Sequence, residues 1–157
     1  MYTWLVVLHL LGLVVFLLAH GVSMFVAFRI RREDDRNVIS AMLQLSAQGS
    51  RMLYLGLLLL GIGGLGAAGV GGLLLAPWVI ASYIVLAVTL AAMYAIGSGF
   101  YYPLREGLEG SEKVERLDDQ SLRTRLRASR RPEALAAVGV GSLVILVWLM
   151  TVKPTFG

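Results

Sequence analysis

The sequence of 157 residues contains two histidines, His9 and His20, and both fall inside its first long apolar stretch. An imidazole in hydrocarbon must satisfy its polar nitrogens, so such a residue usually faces the interior of a helix bundle and is a functional candidate. The spacing of eleven residues returns to nearly the same helix face and separates the side chains by roughly 16 Å along the axis. One metal ion therefore does not bind both histidines, and each marks a separate depth in the membrane.

Haem b is the cofactor that best suits one imidazole per site, because a bundle can clamp its iron between a histidine and a ligand from another helix. We therefore predict His9 and His20 as metal ligands and haem b as the cofactor. The second axial ligand is a methionine, a histidine of another copy, a residue of another subunit, or absent. The candidate methionines are Met24, Met93 and Met150. The alternative is that each imidazole makes a hydrogen bond to a neighbouring helix.

Residues that follow His20 complete the predicted cofactor site. Met24 lies one turn from His20 on the same helix, so within one chain it cannot supply the opposite axial ligand. Arg29 and Arg32 come where the helix would leave the membrane, and haem propionates could reach them there. The chain has no cysteine, which excludes disulfides, iron–sulfur clusters and cysteine-bound zinc.

The composition places these residues in a membrane protein. Hydrophobic residues make up 57% of the chain and charged residues 15%, and the charges gather in two blocks, 29–36 and 105–133. Basic residues flank the apolar runs and lack interleaved aromatics, so they indicate topology and not nucleic-acid binding. No carboxylate lies inside an apolar run, so an ion-coupled transporter would lack its usual charged relay.

The apolar runs predict an all-α, single-domain bundle of four transmembrane helices. The predicted spans are 3–28, 52–75, 78–102 and 134–152. The first is read as a span and not a cleaved signal peptide, because residues 1–3 carry no positive charge. Asn37 is the predicted N-cap of a helix that leads into the second span, and Pro77 marks a short turn before the third.

Lysine and arginine counts predict the orientation. The connection 29–51 carries five and the connection 103–133 carries eight, whereas the Pro77 turn and the residues before the first span carry none. Both charged connections are therefore expected in the cytoplasm, with both chain ends outside it. In the second connection, a broken apolar stripe predicts either a helix lying on the inner leaflet or a solvated linker. Its members are Leu117, Leu122 and Leu126.

The second span is unusually rich in glycine. Two ridges of small residues run along it, namely Gly63, Ala67 and Gly71, and Gly64, Ala68 and Gly72. Such ridges let a neighbouring helix backbone or a flat ligand approach closely, and packing between helices is the favoured interpretation. Gly139 and Gly141 in the last span are expected to offer a matching thin surface.

The first span, with the string Trp4-Leu5-Val6-Val7-Leu8-His9-Leu10-Leu11-Gly12, resembles the opening helix of small bacterial membrane proteins of the CopD-like and HemJ-like type. The ending Trp148-Leu149-Met150-Thr151-Val152-Lys153-Pro154 is also similar to members of this group. The resemblance implies a four-helix protein of the bacterial inner membrane, with His9 as a haem b ligand. HemJ-type proteins also use an intramembrane lysine, and no lysine lies in the predicted spans.

These observations lead to three functional hypotheses. The first is a small membrane subunit that binds haem b and transfers electrons within a redox assembly, without catalytic activity of its own. The second is a structural accessory subunit that packs against partners through the glycine-rich helix, and the third is a HemJ-like porphyrinogen oxidase. The expected partners are the lipid bilayer and either other membrane subunits or further copies of the chain.

Overall fold

The computed structural model describes residues 1–109 and 118–154, and within them every regular element is helical. The helices are α1 (Tyr2–Arg29), α2 (Arg36–Val70), α3 (Pro77–Glu109), α4 (Asp119–Ala128) and α5 (Arg131–Val152), with a 3-10 turn at Ile30–Arg32. α1, α2, α3 and α5 supply four segments long and apolar enough to cross a membrane. The predicted all-α fold with four spans is therefore confirmed.

The ends of α2 differ from the prediction. The N-cap is Asp35 and not Asn37: its carboxylate accepts a hydrogen bond of 2.8 Å from the backbone N–H of Asn37. An aspartate in this position satisfies a free helix donor and places a negative charge at the positive end of the helix dipole. At the other end α2 stops at Val70, and Gly72 follows with a φ of +67°. Glycine adopts this left-handed conformation without strain, so the turn begins before the predicted limit at residue 75.

The helix α3 continues past its predicted end at residue 102 as far as Glu109, through Pro103. Proline lacks an N–H and normally disfavours a helix interior. Here the residues beyond it contribute to a core, because Leu104 and Leu108 are buried. The apolar contacts of this last stretch offset the lost hydrogen bond.

The helices α1 and α2 pack so closely that their backbones touch. A β-carbon on Gly12 would lie 2.3 Å from the backbone nitrogen of Leu60, and one on Gly56 would lie 2.6 Å from that of Phe16. Only glycine permits this approach, because any side chain would overlap the facing backbone. The helix-packing role predicted for the glycines of the second span is thus found between α2 and α1.

The other two spans, α3 and α5, form a second pair, and the two pairs meet over fewer residues than either pair shares internally. Among the described residues, α1 meets α5 where His20 lies against Gly139, and the hydroxyl of Tyr83 on α3 reaches Gly64 on α2. These crossings are the places where side chains of different helices converge inside the bundle.

At the charged end of the molecule an apolar cluster joins four helices and the 3-10 turn. We call it the end cluster. Its buried members are Val26, Ile30, Ile39, Leu43, Leu104, Leu108, Leu122 and Leu126. Leu122 and Leu126 of α4 are each only 1% exposed, so the apolar stripe of this segment faces the protein. Neither the leaflet-bound helix nor the solvated linker is found, because the ends of α1, α2 and α3 already provide an apolar surface. Leu117 lies outside the described residues.

Ion pairs bring the two charged connections together. Asp34 lies 2.8 Å from Arg127, Arg36 lies 3.0 Å from Asp119, and Arg31 pairs with Glu133. Both connections therefore lie at the same end of the bundle, as the charge count predicts. That this end faces the cytoplasm remains a prediction from the excess of arginine there.

Candidate functional site

His9 lies about two turns into α1 and points at α2. Its Nδ1 lies 2.8 Å from the backbone carbonyl oxygen of Leu60. Because a carbonyl oxygen only accepts hydrogen bonds, the proton resides on Nδ1 and the lone pair on Nε2. The contact thus fixes both the orientation of the ring and its tautomer.

Gly64 makes this hydrogen bond sterically possible. It lies one turn after Leu60 on α2, and a β-carbon on Gly64 would lie 2.8 Å from Nδ1 of His9 and 3.0 Å from its Cε1. The imidazole therefore occupies the space that any other residue's side chain would fill. The glycine pattern predicts a ligand or a backbone in such a space, and here a histidine side chain takes it.

A third helix contributes a polar group to the same place. The hydroxyl of Tyr83, on α3, lies 3.6 Å from the position of a β-carbon on Gly64. It therefore approaches the His9 ring across the thin surface of α2. We refer to His9, Gly64, Tyr83 and the Leu60 carbonyl as the His9 site.

The His9 site has the chemistry of a single metal ligand. Metal-binding histidines almost always donate their other ring N–H to a carbonyl or carboxylate, which sets the tautomer and raises the basicity of the coordinating nitrogen. Among the described residues, Nε2 of His9 has no hydrogen-bond partner. If a haem is bound here, Nε2 of His9 is the atom that would hold its iron.

His20 lies in a different environment. Its ring stacks on that of Phe16, with centroids 6.1 Å apart and planes 4° from parallel. Its Nε2 is buried, has no hydrogen-bond partner in the described part of the chain, and would lie 2.5 Å from a β-carbon on Gly139. An iron bound to this nitrogen would need the space that α5 occupies, so in this helix arrangement His20 does not fit a haem.

The remaining predicted cofactor residues lie towards the charged end. Met24 is partly buried on the helix that carries His20, Arg29 pairs with Glu33 at 2.8 Å, and Arg32 is exposed on the 3-10 turn. None of them contributes to the His9 site in the contacts of the described residues. Within residues 1–109 and 118–154, no three side chains of His, Cys, Asp or Glu gather as a metal site.

The sequence indicates His9 but not the groups that orient it. A backbone carbonyl leaves no signal in a sequence. Gly64 does leave a signal in the sequence. It is a small residue, one turn after Leu60, in a span that must pack against another helix. Tyr83 carries no specific signal, since a tyrosine of the third span could line a pocket or bond to any neighbouring helix.

Comparison with known proteins agrees with the architecture. A family model described as "Predicted integral membrane protein (DUF2269)" matches residues 3–154. No curated protein and no solved structure matches the chain. The match supports a membrane family without identifying the CopD-like or HemJ-like type. Because it covers nearly the whole sequence, the chain belongs to the DUF2269 family of integral membrane proteins.

Proposed function

We propose that this protein is a small membrane subunit that binds haem b through Nε2 of His9 and transfers electrons within a membrane redox assembly. The observation that carries this proposal is the 2.8 Å contact between Nδ1 of His9 and the Leu60 carbonyl. It holds the lone pair of an intramembrane imidazole on the nitrogen that coordinates metals. Bound haem b would supply reversible one-electron chemistry.

The surroundings of His9 favour haem over a metal ion held by protein alone. Zinc and similar ions take three or four protein ligands, whereas a haem already supplies four nitrogens and needs one or two. The described residues offer one imidazole at this depth. The Tyr83 hydroxyl, 3.6 Å from the position of a β-carbon on Gly64, brings a polar group of a third helix to the same place.

Absorption spectroscopy of the purified protein tests this assignment. Protein expressed in haem-replete cells and purified in detergent is expected to show a Soret band, and His9→Ala is expected to abolish it. His20→Ala serves as the matched control, because the imidazole it removes faces α5, and it should retain the band. A colourless wild-type protein, or a band lost in His20→Ala and retained in His9→Ala, would contradict the proposal.

A structural accessory subunit is the second candidate. A β-carbon added to Gly61 or Gly69 of α2 would meet nothing within 4 Å, so part of the glycine-rich helix remains open to another transmembrane helix. Co-purification of a defined partner from the membrane, lost in a Gly61→Leu and Gly69→Leu double variant, would favour this role. If the wild-type protein in the same preparation carries no haem, the accessory role is favoured over the haem-binding role.

A HemJ-like porphyrinogen oxidase is the third candidate, and it shares the haem of the first. Oxidation of protoporphyrinogen by the haem-loaded protein in a bacterial inner membrane would distinguish it from an electron-transfer subunit. Partners in either redox role are other membrane subunits or further copies of the chain. Crosslinking in native membranes separates these two, because a homo-oligomer yields multiples of a single mass.

A further inference from the structure

Tyr101 has an unusual environment at the charged end of α3. Its hydroxyl oxygen is buried, and within the described residues it has no hydrogen-bond partner. Its ring packs edge-on against Phe100, with centroids 5.2 Å apart. A buried hydroxyl without a partner costs about 1–3 kcal/mol relative to a satisfied one, so this one calls for an explanation.

Charged groups lie beside the Tyr101 ring. The Arg131 guanidinium and the Tyr101 ring both pack on the ring of Phe100, at 5.3 and 5.2 Å from its centroid. The ion pair of Arg31 with Glu133 also acts electrostatically on the Tyr101 phenol. The carboxylate is engaged with Arg31 and is half exposed, whereas the Arg31 side chain is 24% exposed. Two cations and one anion thus leave an excess of positive charge around a buried hydroxyl.

Arg131 brings hydrogen-bond donors that the described chain does not use. One of its terminal nitrogens donates to the carbonyl of Ile96 at 2.9 Å, and the guanidinium lies 5.3 Å from the Phe100 ring centroid. A guanidinium has five N–H donors and no acceptor. The contacts with Ile96 and Phe100 hold its plane in place and leave other N–H groups without an acceptor among the described residues.

We propose that Tyr101 and Arg131 bind an oxyanion, and that in the bilayer this is the headgroup phosphate of an anionic phospholipid. A phosphate accepts hydrogen bonds from a hydroxyl and a guanidinium together, and it neutralises the excess charge. The site lies where the apolar length of α3 meets the arginine-rich end of the bundle, the depth of lipid headgroups. It is separate from the His9 site and does not depend on haem.

Ligand-induced thermal stabilisation of the delipidated protein in neutral detergent tests the site, because a ligand that binds only the folded protein raises its unfolding midpoint. The probes are short-chain phosphatidylglycerol, phosphatidylcholine of the same chain length, and inorganic phosphate. We expect phosphatidylglycerol to stabilise the wild type more than phosphatidylcholine does. Tyr101→Phe and Arg131→Gln should each weaken that binding roughly tenfold.

Tyr102→Phe is the matched control. It removes the same atom from the next residue, whose side chain is 64% exposed, and it should leave the affinity unchanged. Tyr101→Phe keeps the ring and its packing against Phe100, so it is not expected to unfold the protein. Equal affinity of wild type and Tyr101→Phe for phosphatidylglycerol would overturn the proposal.

Glu133→Gln separates an oxyanion site from an internal network. If the site binds an oxyanion, removal of the neighbouring carboxylate charge should raise the affinity for phosphatidylglycerol several-fold. If the Tyr101 hydroxyl instead interacts only with the Glu133 carboxylate, Glu133→Gln should lose stability and gain no affinity for phosphatidylglycerol. That result would refute the proposal. Saturable stabilisation by inorganic phosphate that is lost in Tyr101→Phe would identify a soluble oxyanion, and stabilisation by phosphatidylglycerol alone would identify the lipid.

Discussion

The imidazole ring of His20 fills the space beside the backbone of Gly139. A β-carbon on Gly139 would lie 2.5 Å from Nε2 of His20 and 3.2 Å from its Cε1. The His20 ring is also stacked on the ring of Phe16. This contact is where α1 meets α5, and it joins the two helix pairs within the membrane.

Gly139→Ala should therefore destabilise the fold, because the new methyl group overlaps an imidazole that has little freedom to move. We expect a loss of about 1–3 kcal/mol, as for other over-packed sites. The double variant His20→Ala with Gly139→Ala should recover most of the loss, since the small side chain at position 20 makes room. Thermal unfolding in detergent measures these two variants and His20→Ala, and a loss in the double variant equal to the sum of the two single losses would show that the two residues are not coupled.

The contact between α1 and α2 gives a second test. A β-carbon on Gly63 would lie 2.4 Å from the backbone nitrogen of His9 and 2.7 Å from the carbonyl oxygen of Leu5, whereas one on Gly61 would meet nothing within 4 Å. Gly63→Ala should force the helices apart and cost at least about 1–3 kcal/mol, because backbone atoms cannot move aside as a side chain can. Gly61→Ala should be neutral or stabilise by about 0.5–1 kcal/mol, since alanine favours the helix. Unfolding midpoints that move equally in the two variants would exclude backbone contact at Gly63.

The end cluster makes α4 part of the fold. Leu126→Ala should cost about 2–5 kcal/mol, the usual effect of removing a buried leucine side chain. Arg125→Ala, on the exposed face next to it, should change stability little. Limited proteolysis is the readout, because α4 should become cleavable in Leu126→Ala at a lower protease concentration than in the control. Equal cleavage of both variants would mean that α4 is held mainly by its ion pairs.

The number of spans and the shared end of the charged connections could be predicted because they depend on simple quantities. A bilayer sets the length of an apolar helix, and arginine counts set which connections lie together. The helix ends could not be predicted as well. Asp35 and Asn37 are both good N-caps, and only the position of the chain in three dimensions selects Asp35.

The site could be predicted only in part, because the sequence indicates which residues are costly in a membrane but not what satisfies them. His9 and His20 look equivalent in the sequence by residue type and by helix face. In the structure His9 meets the Leu60 carbonyl, whereas His20 meets Gly139. The stripe containing Leu122 and Leu126 poses the same problem, because lipid and a protein core are equally apolar partners for leucine.

Acid should loosen the start of α4. Hydrogen bonds from Ser121, first from its side chain and then from its backbone N–H, hold the pKa of the Asp118 carboxyl below its usual value. The stabilisation is therefore fully present above the usual pKa of about 4 and is lost as the pH falls through the lowered value. Amide hydrogen exchange over 119–122 should accelerate below about pH 4, beyond the intrinsic pH effect. Asp118→Asn, which keeps a capping side chain but no titrating group, should remove that acceleration, and its persistence there would point to another group.

Gly64→Ala should alter the chemistry of His9 without removing the nitrogen proposed as the haem ligand. The added methyl would lie 2.8 Å from Nδ1, so the ring must turn away from the Leu60 carbonyl and lose its hydrogen bond. A histidine without that bond is a weaker base, and a weaker axial base stabilises ferric haem less. The reduction potential of the haem proposed at His9 should therefore rise in Gly64→Ala, as measured by spectroelectrochemical titration.

Gly61→Ala, with open space at its position, is the control and should keep the wild-type potential. An unchanged potential in Gly64→Ala, with haem still bound, would show that the Leu60 carbonyl does not tune the ligand.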